Sequence, residues 1–162
     1  RCARVTGVQT CALPISYPEA VSGDVTQNED IEMDKMKDLA LLVGRVLLAL
    51  MFVIAGWGKI GGYAGTQGYM EAMGVPGFIL PLVILLELGG GLAIMLGLFT
   101  RSLSVLKAGF TLMAAFIFHY QPADQMQMLM FMKNVSVAGG FLALAAAGAG
   151  AFSLDARLGK NW

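Results

Sequence analysis

Long apolar runs alternate with short polar connections from Leu39 onward. The runs cover about residues 39–57, 78–99, 103–120 and 128–152. A helix of about 20 apolar residues crosses the roughly 30 Å hydrocarbon core of a bilayer. The pattern therefore predicts an all-α integral membrane protein whose partner is the lipid bilayer. Four spans joined by short connections favour a four-helix bundle with up-down-up-down topology.

Residues 1–32 differ in character from the rest of the chain. The stretch Val5–Ile15, VTGVQTCALPI, looks like a translated sequencing-library adapter, and residues 17–32 are polar without an apolar helical face. We therefore expect residues 1–32 to be disordered or artefactual and residues 33–162 to form the domain. Met33 or Met36 is the expected start of the natural protein.

Composition agrees with a membrane protein and removes one class of partner. The chain is 57% hydrophobic and only 14% charged, with zero net charge, whereas soluble domains are about one-quarter charged. A neutral chain gives no reason to expect a nucleic-acid partner. Lysine and arginine gather on the side of the spans that carries both termini. The positive-inside rule then predicts that both termini lie in the cytoplasm.

Each predicted span carries an ionisable side chain that hydrocarbon disfavours. Glu87 lies about 13 Å inside the second span and Lys133 about 8 Å inside the fourth, at about 1.5 Å per residue. A carboxylate at that depth costs at least a few kcal/mol when it faces lipid, so Glu87 should face protein or a water-filled cavity. Lys59 and His119 lie near the same ends of the first and third spans.

Together these side chains predict a polar cluster, which consists of Arg45, Lys59, Glu87, His119, Lys133 and Asn134. Arg45 should approach Glu87 from the opposite face, about 9 Å into the first span. One interpretation is a pocket for an anion, a quinone head group or a proton, with Glu87 and His119 as candidate catalytic residues. The other is a structural ion-pair network that fixes helix register. Lys107 lies one turn into the third span, from where its side chain can snorkel back to the interface.

Motifs for other chemistry are missing from the sequence. It contains no Gly-rich nucleotide loop, no nucleophile elbow and no paired-cysteine metal signature. A single histidine without cysteine partners makes a metal site a weak hypothesis. We therefore expect no metal and no covalently bound cofactor. The pattern assigns no reaction, and it does not decide that the protein is an enzyme.

Several segments together resemble the DoxX family of small bacterial inner-membrane proteins. They are GRVLLALMFVIAGWGKI at 44–60, MGVPGFILPLVILLELGGGLAIMLGLFTR at 73–101, the HY pair at 119–120 and FMKNVSVAGGFLAL at 131–144. The resemblance covers nearly all of 36–158 and implies four transmembrane helices in the bacterial cytoplasmic membrane. The family name derives from a membrane subunit of a thiosulfate:quinone oxidoreductase. Because the membrane domain has no cysteine, the redox role that this resemblance implies would need a quinone or the cofactor of a redox partner subunit.

Two functional hypotheses follow from the cluster and the resemblance. In the first, the protein is a membrane or quinone-interacting component of an oxidoreductase system. In the second, it is a non-enzymatic carrier of a small solute or of protons, or a membrane assembly factor. A quinone site predicts an apolar groove beside Glu87 that opens to lipid, whereas a carrier predicts a cavity that opens to water.

Overall fold

The computed structural model describes residues 22–159. All regular structure in that range is helical. Four of the described helices are long and apolar enough to cross a membrane: Ile31–Gly61, Gly77–Leu96, Thr100–His119 and Gln125–Ala147. We refer to them as the first to fourth spans. The predicted all-α, four-helix membrane bundle is confirmed, while the cytoplasmic placement of both termini stays a prediction.

The first span is part of one long helix, Ser22–Gly61. The beginning of this helix overlaps the segment 1–32, which the sequence predicts to be disordered or artefactual. Residues 1–21 of that segment, which include the adapter-like stretch, lie outside the described residues. The chain divides between Asp34 and Lys35 into two structural units. The contacts reported below all lie within the second unit, and the domain boundary after residue 32 stays a prediction.

Two shorter helices accompany the spans. Tyr63–Ala72 follows the first span and is called the loop helix here. Leu154–Arg157 follows the fourth span. The longest predicted connection therefore contains an ordered helix, and one residue of that helix, Met70, is buried against the bundle.

Two of the spans contain a π turn. The second span joins a 3-10 turn, an α segment, a π turn and a second α segment: Gly77–Ile79, Leu80–Ile84, Leu85–Gly89 and Gly90–Leu96. The third span joins the α segment Thr100–Ala114 to the π turn Ala115–His119. Single π turns inside α-helices are rare and are frequent at functional sites. Both candidate catalytic residues, Glu87 and His119, lie in these turns.

Small residues bring the first two spans into close contact. A Cβ atom on Gly56 would lie 2.9 Å from the main-chain nitrogen of Leu88, and one on Gly91 would lie 2.9 Å from the side chain of Val53. Such residues let membrane helices approach closely enough to gain packing energy where lipid offers no hydrophobic drive. The buried core consists of Ala49, Phe52, Ile94, Ala108, Ala138, Phe141 and Leu144.

Large apolar side chains cover the outside of the bundle. Leu82 in the second span is 66% exposed and Leu129 in the fourth is 61% exposed. In water such a surface would cause aggregation, whereas in a bilayer it is the surface that lipid covers. The inward small residues and outward large ones are the arrangement expected of a membrane bundle.

The fourth span ends earlier than the apolar pattern predicts. It stops at Ala147 instead of near residue 152. Gly148 and Gly150 follow with φ values of 87° and 74°, which glycine adopts without steric cost and which end a helix. The chain then turns back toward the bundle and buries Ala149. This turn positions main-chain oxygens that Arg45 uses, as described below.

Candidate functional site

A cavity of about 420 Å³ lies among the four spans and the loop helix. Its volume falls in the range of about 300–1,000 Å³ that small-molecule sites occupy. Apolar side chains such as Phe52, Val83 and Phe110 make up most of the lining. The polar residues in the lining are Lys59, Thr66, Tyr69, Glu87, Thr111, His119, Lys133 and Asn134. The structure therefore brings together every residue of the predicted polar cluster except Arg45.

Glu87 faces the inside of the bundle from the middle of its π turn. The residue is 6% exposed, as its depth in the span requires. One carboxylate oxygen accepts a hydrogen bond from Lys59 Nζ at 2.6 Å, and the two charges form an ion pair. The Lys59 side chain is 26% exposed, so the pair joins a buried carboxylate to an ammonium group nearer the surface. Gly56 permits this contact, because a larger residue there would push the two helices apart.

Lys107 is a second lysine at Glu87, and its place differs from the prediction. The residue is fully buried; its Nζ donates to the main-chain oxygen of Glu87 at 3.3 Å and lies 4.0 Å from the centre of the Phe52 ring. The expectation that Lys107 snorkels to the interface is therefore wrong. The lysine stem packs against Gly90, where a Cβ atom would lie 3.4 Å from Lys107 Cε, close to an ordinary van der Waals distance. The main-chain oxygen of Glu87 and the Phe52 ring then give the ammonium group its contacts inside the bundle.

His119 enters the cavity lining from the end of the third span. Its Nδ1 lies 2.8 Å from Gln127 Oε1 in the fourth span. This hydrogen bond occupies Nδ1 and joins the third span to the fourth. The second ring nitrogen, Nε2, is then available for a proton or for a ligand.

Lys133 and Asn134 contribute adjacent polar side chains from the fourth span. Both line the cavity, and Lys133 is also exposed on the bundle surface. The hydrogen bond described for Lys133 Nζ goes to Met130 Sδ at 3.4 Å, and a thioether is a weak acceptor. Lys133 therefore keeps nearly its full capacity to bind an oxygen acceptor.

The loop helix covers the cavity through an aromatic contact. Tyr69 stacks on Phe118 of the third span, with ring centres 5.6 Å apart and an angle of 26° between the rings. Both rings belong to the cavity lining. Offset stacking of this kind stabilises aromatic pairs by about 0.5–1.5 kcal/mol beyond the area they bury. The loop helix is thus part of the site and not merely a connection.

Arg45 lies at the other end of the bundle, where the second and fourth spans end and the third begins; we call this the terminal end. The residue is 2% exposed. Its guanidinium group donates to the main-chain oxygens of Met95, Ala149 and Phe152. The predicted approach of Arg45 to Glu87 is therefore wrong. Carbonyl groups at and beyond helix C-termini lack helical partners, and they provide the acceptors that a buried guanidinium group needs.

Asp155 completes the terminal end. Its carboxylate accepts the main-chain N–H groups of Phe99 and Thr100 at 2.9 Å each, which caps the start of the third span. Asp38 accepts the N–H of Ala151 at 2.9 Å. The polar groups at this end are therefore used to join the spans to the C-terminal segment.

Three buried hydroxyl groups on the third span were missed by sequence reasoning. Thr100, Ser104 and Thr111 are at most 2% exposed, and their hydroxyl oxygens have no hydrogen-bond partner within the described part of the chain. Together with Lys107 they are spaced three or four residues apart, so they share one face of the helix. That spacing was readable in the sequence, but the polarity of this face was not recognised. Thr111 lines the cavity.

Proteins of similar sequence are known from bacteria. The DoxX family profile matches residues 40–120. Inner membrane protein YqjF of Escherichia coli is 59% identical over 130 residues, which cover 80% of this chain and 100% of that protein. Inner membrane protein YphA of the same organism is 41% identical over 128 residues, 75% of this chain and 91% of that protein.

A more distant relative has a name that refers to chemistry. The protein named "Putative oxidoreductase CatD" of Bacillus subtilis is 34% identical over 85 residues, 52% of this chain and 63% of that protein. No solved structure matches the chain. The family profile, the two inner-membrane relatives and the four apolar spans agree with one another. The chain therefore belongs to the DoxX family and is a multi-pass protein of the bacterial inner membrane.

Proposed function

We propose that this protein is a quinone-interacting membrane component of an oxidoreductase system, and that the quinone ring binds in the cavity beside Glu87. The observation that carries the proposal is the composition of the cavity lining. Apolar side chains form most of the wall, while an acid, an ion-paired lysine and a histidine converge on the same space. Ligand sites typically combine an apolar wall with a few polar groups that fix orientation.

The size and the aromatic lining of the cavity suit a planar ring. Phe52, Phe110 and Phe118 offer aromatic surface, and aromatic rings pack well against such surfaces. A volume of about 420 Å³ accommodates a ring system of one or two fused rings. A bound quinone supplies two-electron redox chemistry that no side chain of the domain provides.

The residues of the chain then have separate tasks. His119 Nε2 and the carboxylate of Glu87 hold and release protons. Lys59 keeps that carboxylate oriented through its 2.6 Å hydrogen bond. Lys133 and Asn134 donate hydrogen bonds to oxygen atoms of the ligand. Because residues 33–162 contain no cysteine, we assign the delivery of electrons to a redox partner subunit.

The name of one relative supports a redox role. CatD is named as an oxidoreductase, and it shares about a third of its aligned residues with this chain. That name describes the relative alone, and its reaction is proposed for this protein only at the level of oxidoreductase chemistry. The lining of the cavity supports a quinone site on physical grounds that do not depend on the name of this relative.

The second candidate function is a carrier of a small solute or of protons, or a membrane assembly factor. One observation favours a carrier. Lys133 both lines the cavity and is exposed on the bundle surface, so a charged group reaches the cavity from outside. If the protein is a carrier, vesicles that contain it as their one protein should transport the solute or protons. If the quinone proposal holds, the purified protein should contain a bound quinone ring.

The proposal is tested by measuring quinone that co-purifies with the protein from bacterial membranes. We expect the wild-type protein in mild detergent to retain quinone in clear excess over an unrelated four-span protein purified in the same way. Glu87→Gln should retain less and should lower activity in a quinone-reduction assay with the native membrane. Glu71→Gln, an exposed acid of the loop helix, is the matched control. Absence of quinone together with an unchanged Glu87→Gln variant would remove the proposal.

A further inference from the structure

We infer that the cavity selects a lipophilic anion, meaning an apolar ring system that carries one acidic group ionised at neutral pH. This inference rests on the proposed function, because it assigns the charge of the ring that the cavity binds. It follows from an imbalance of charge around the cavity and from the contacts of each lysine.

Three lysines meet a single carboxylate around the cavity. Lys59 and Lys133 belong to the lining, Lys107 lies in the wall directly behind Glu87, and Glu87 is the acidic residue of the lining. Three formal positive charges against one negative charge leave an excess of two. Four other acids of the second structural unit have described hydrogen bonds, and none of these bonds is to a lysine of the cavity. Glu71 binds Gln67, and Asp124 caps the start of the fourth span. Asp38 and Asp155 bind main-chain N–H groups at the terminal end.

The buried lysine makes this imbalance costly. Lys107 is fully buried, and its described partners are a main-chain oxygen and the face of Phe52. Neither of these contacts is with a charged group, and Lys107 shares the one negative charge of Glu87 with Lys59, which binds the carboxylate directly. A cation in a low-dielectric interior is stabilised by any negative charge nearby. An anion in the cavity would supply the charge that the protein lacks there.

Lys133 and Asn134 are the groups that would hold the acidic group itself. The ammonium group of Lys133 has only a thioether as described acceptor, and a carboxylate or enolate oxygen is a far stronger one. The amide of Asn134 lines the same space and adds a neutral donor. Lys133 and Asn134 lie next to the apolar wall of the same cavity. One ligand can therefore bind these two polar residues with its acidic group and the apolar wall with its ring.

The apolar wall of the cavity determines what the remainder of the ligand must be. A small hydrated anion would give up water without gaining contact with the rings that form most of the lining. A neutral ring would gain those contacts but would leave the excess positive charge in place. A ring with one ionised group satisfies both parts of the site, and one negative charge is enough to halve the imbalance.

The test compares two naphthoquinones that differ in one substituent. Menadione carries a methyl group and is neutral, whereas lawsone carries an acidic hydroxyl group and is an anion at neutral pH. Binding is measured by equilibrium dialysis with protein in nanodiscs of zwitterionic lipid, after subtraction of protein-free nanodiscs. We expect lawsone to bind about tenfold more tightly than menadione, the size of one close charge pair. Lys133→Gln should reduce this ratio to near one, and Lys133→Arg should keep it.

The matched control is Lys37→Gln, the same change at an exposed lysine near the beginning of the first span and outside the cavity lining, and it should leave the ratio unchanged. Equal affinity for the two probes would overturn the anion inference while the quinone proposal stands, since both rings would still bind. Tighter binding of menadione than of lawsone would likewise overturn the anion inference and leave the quinone proposal standing. An unchanged ratio in Lys133→Gln would overturn the assignment of Lys133. Binding of neither probe to the wild-type protein would overturn this inference and the ring-binding function together.

Discussion

Replacement of Glu87 by glutamine should lower the stability of the bundle by about 2–4 kcal/mol. Glutamine keeps the shape of the side chain and still accepts a hydrogen bond from Lys59, so the change removes the negative charge and little else. Two lysines then remain at the same place without a counter-charge. Lys107 is the more affected, because it is fully buried and cannot turn toward water.

The magnitude follows from the geometry of the ion pair. At a separation of 2.6 Å, two unit charges attract each other by about 6 kcal/mol at an effective dielectric constant of about 20. Desolvation of both groups offsets part of this attraction. Loss of one partner of a buried pair typically costs about 3–5 kcal/mol. The Lys59 side chain keeps 26% of its surface exposed, so it regains some hydration, which lowers the expected loss to about 2–4 kcal/mol.

Reversible unfolding by SDS in mixed micelles, followed by circular dichroism, measures this loss. A double-mutant cycle with Lys59→Gln should give a coupling energy of about 1–3 kcal/mol. Glu71→Gln is the control, and an exposed change of this kind should stay within about 0.5 kcal/mol of wild type. The reasoning is refuted by a Glu87→Gln variant as stable as the control, or by a cycle whose coupling energy is zero.

Three further stability predictions use the same titration. Arg45→Lys should cost about 2–4 kcal/mol, because an ammonium group cannot reach the three main-chain oxygens that the guanidinium fork contacts; an unchanged midpoint would contradict the described network. Ser104→Ala should leave stability unchanged or raise it by up to about 1 kcal/mol, because its buried hydroxyl has no partner within residues 22–159. A clear loss relative to Ser136→Ala, an exposed change in the fourth span, would show that the hydroxyl has a partner. Gly56→Ala should cost about 1–3 kcal/mol, because the new Cβ atom would lie 2.9 Å from the main chain of the second span. Gly58→Ala adds a methyl group with nothing within 4 Å, and equal stability of the two alanine variants would refute the close contact.

The number of spans and the inward direction of Glu87 could be predicted because each rests on one strong physical constraint. A run of apolar residues long enough to cross hydrocarbon has few other stable structures. A carboxylate near the middle of such a run is too costly to face lipid. The grouping of Lys59, His119 and Lys133 with Glu87 followed from depth alone, since alternating spans bring alternating ends together.

The errors arose where the environment of a side chain depends on tertiary contacts. Lys107 lies one turn inside a span, and both snorkelling and burial are compatible with that depth. Burial became favourable because the Phe52 ring and the main-chain oxygen of Glu87 contact the ammonium group inside the bundle. Arg45 turned away from Glu87 because the chain after Ala147 folds back and presents carbonyl oxygens, which an apolar pattern through residue 152 does not reveal.

The two ends of the bundle differ in how the charged side chains Arg45, Asp155 and Lys133 are partnered, and this difference favours the cavity as the functional end. At the terminal end, Arg45 donates to three carbonyl groups and Asp155 accepts two N–H groups. At the cavity end, the described acceptor of Lys133 is a thioether. Unpartnered hydroxyl groups occur along the described third span from Thr100 to Thr111, so they do not distinguish the two ends. Structural networks satisfy their charged members, because a charge without a good partner adds little to stability. An ammonium donor with a weak acceptor beside an apolar cavity is therefore better explained by a ligand than by a role in holding the helices together.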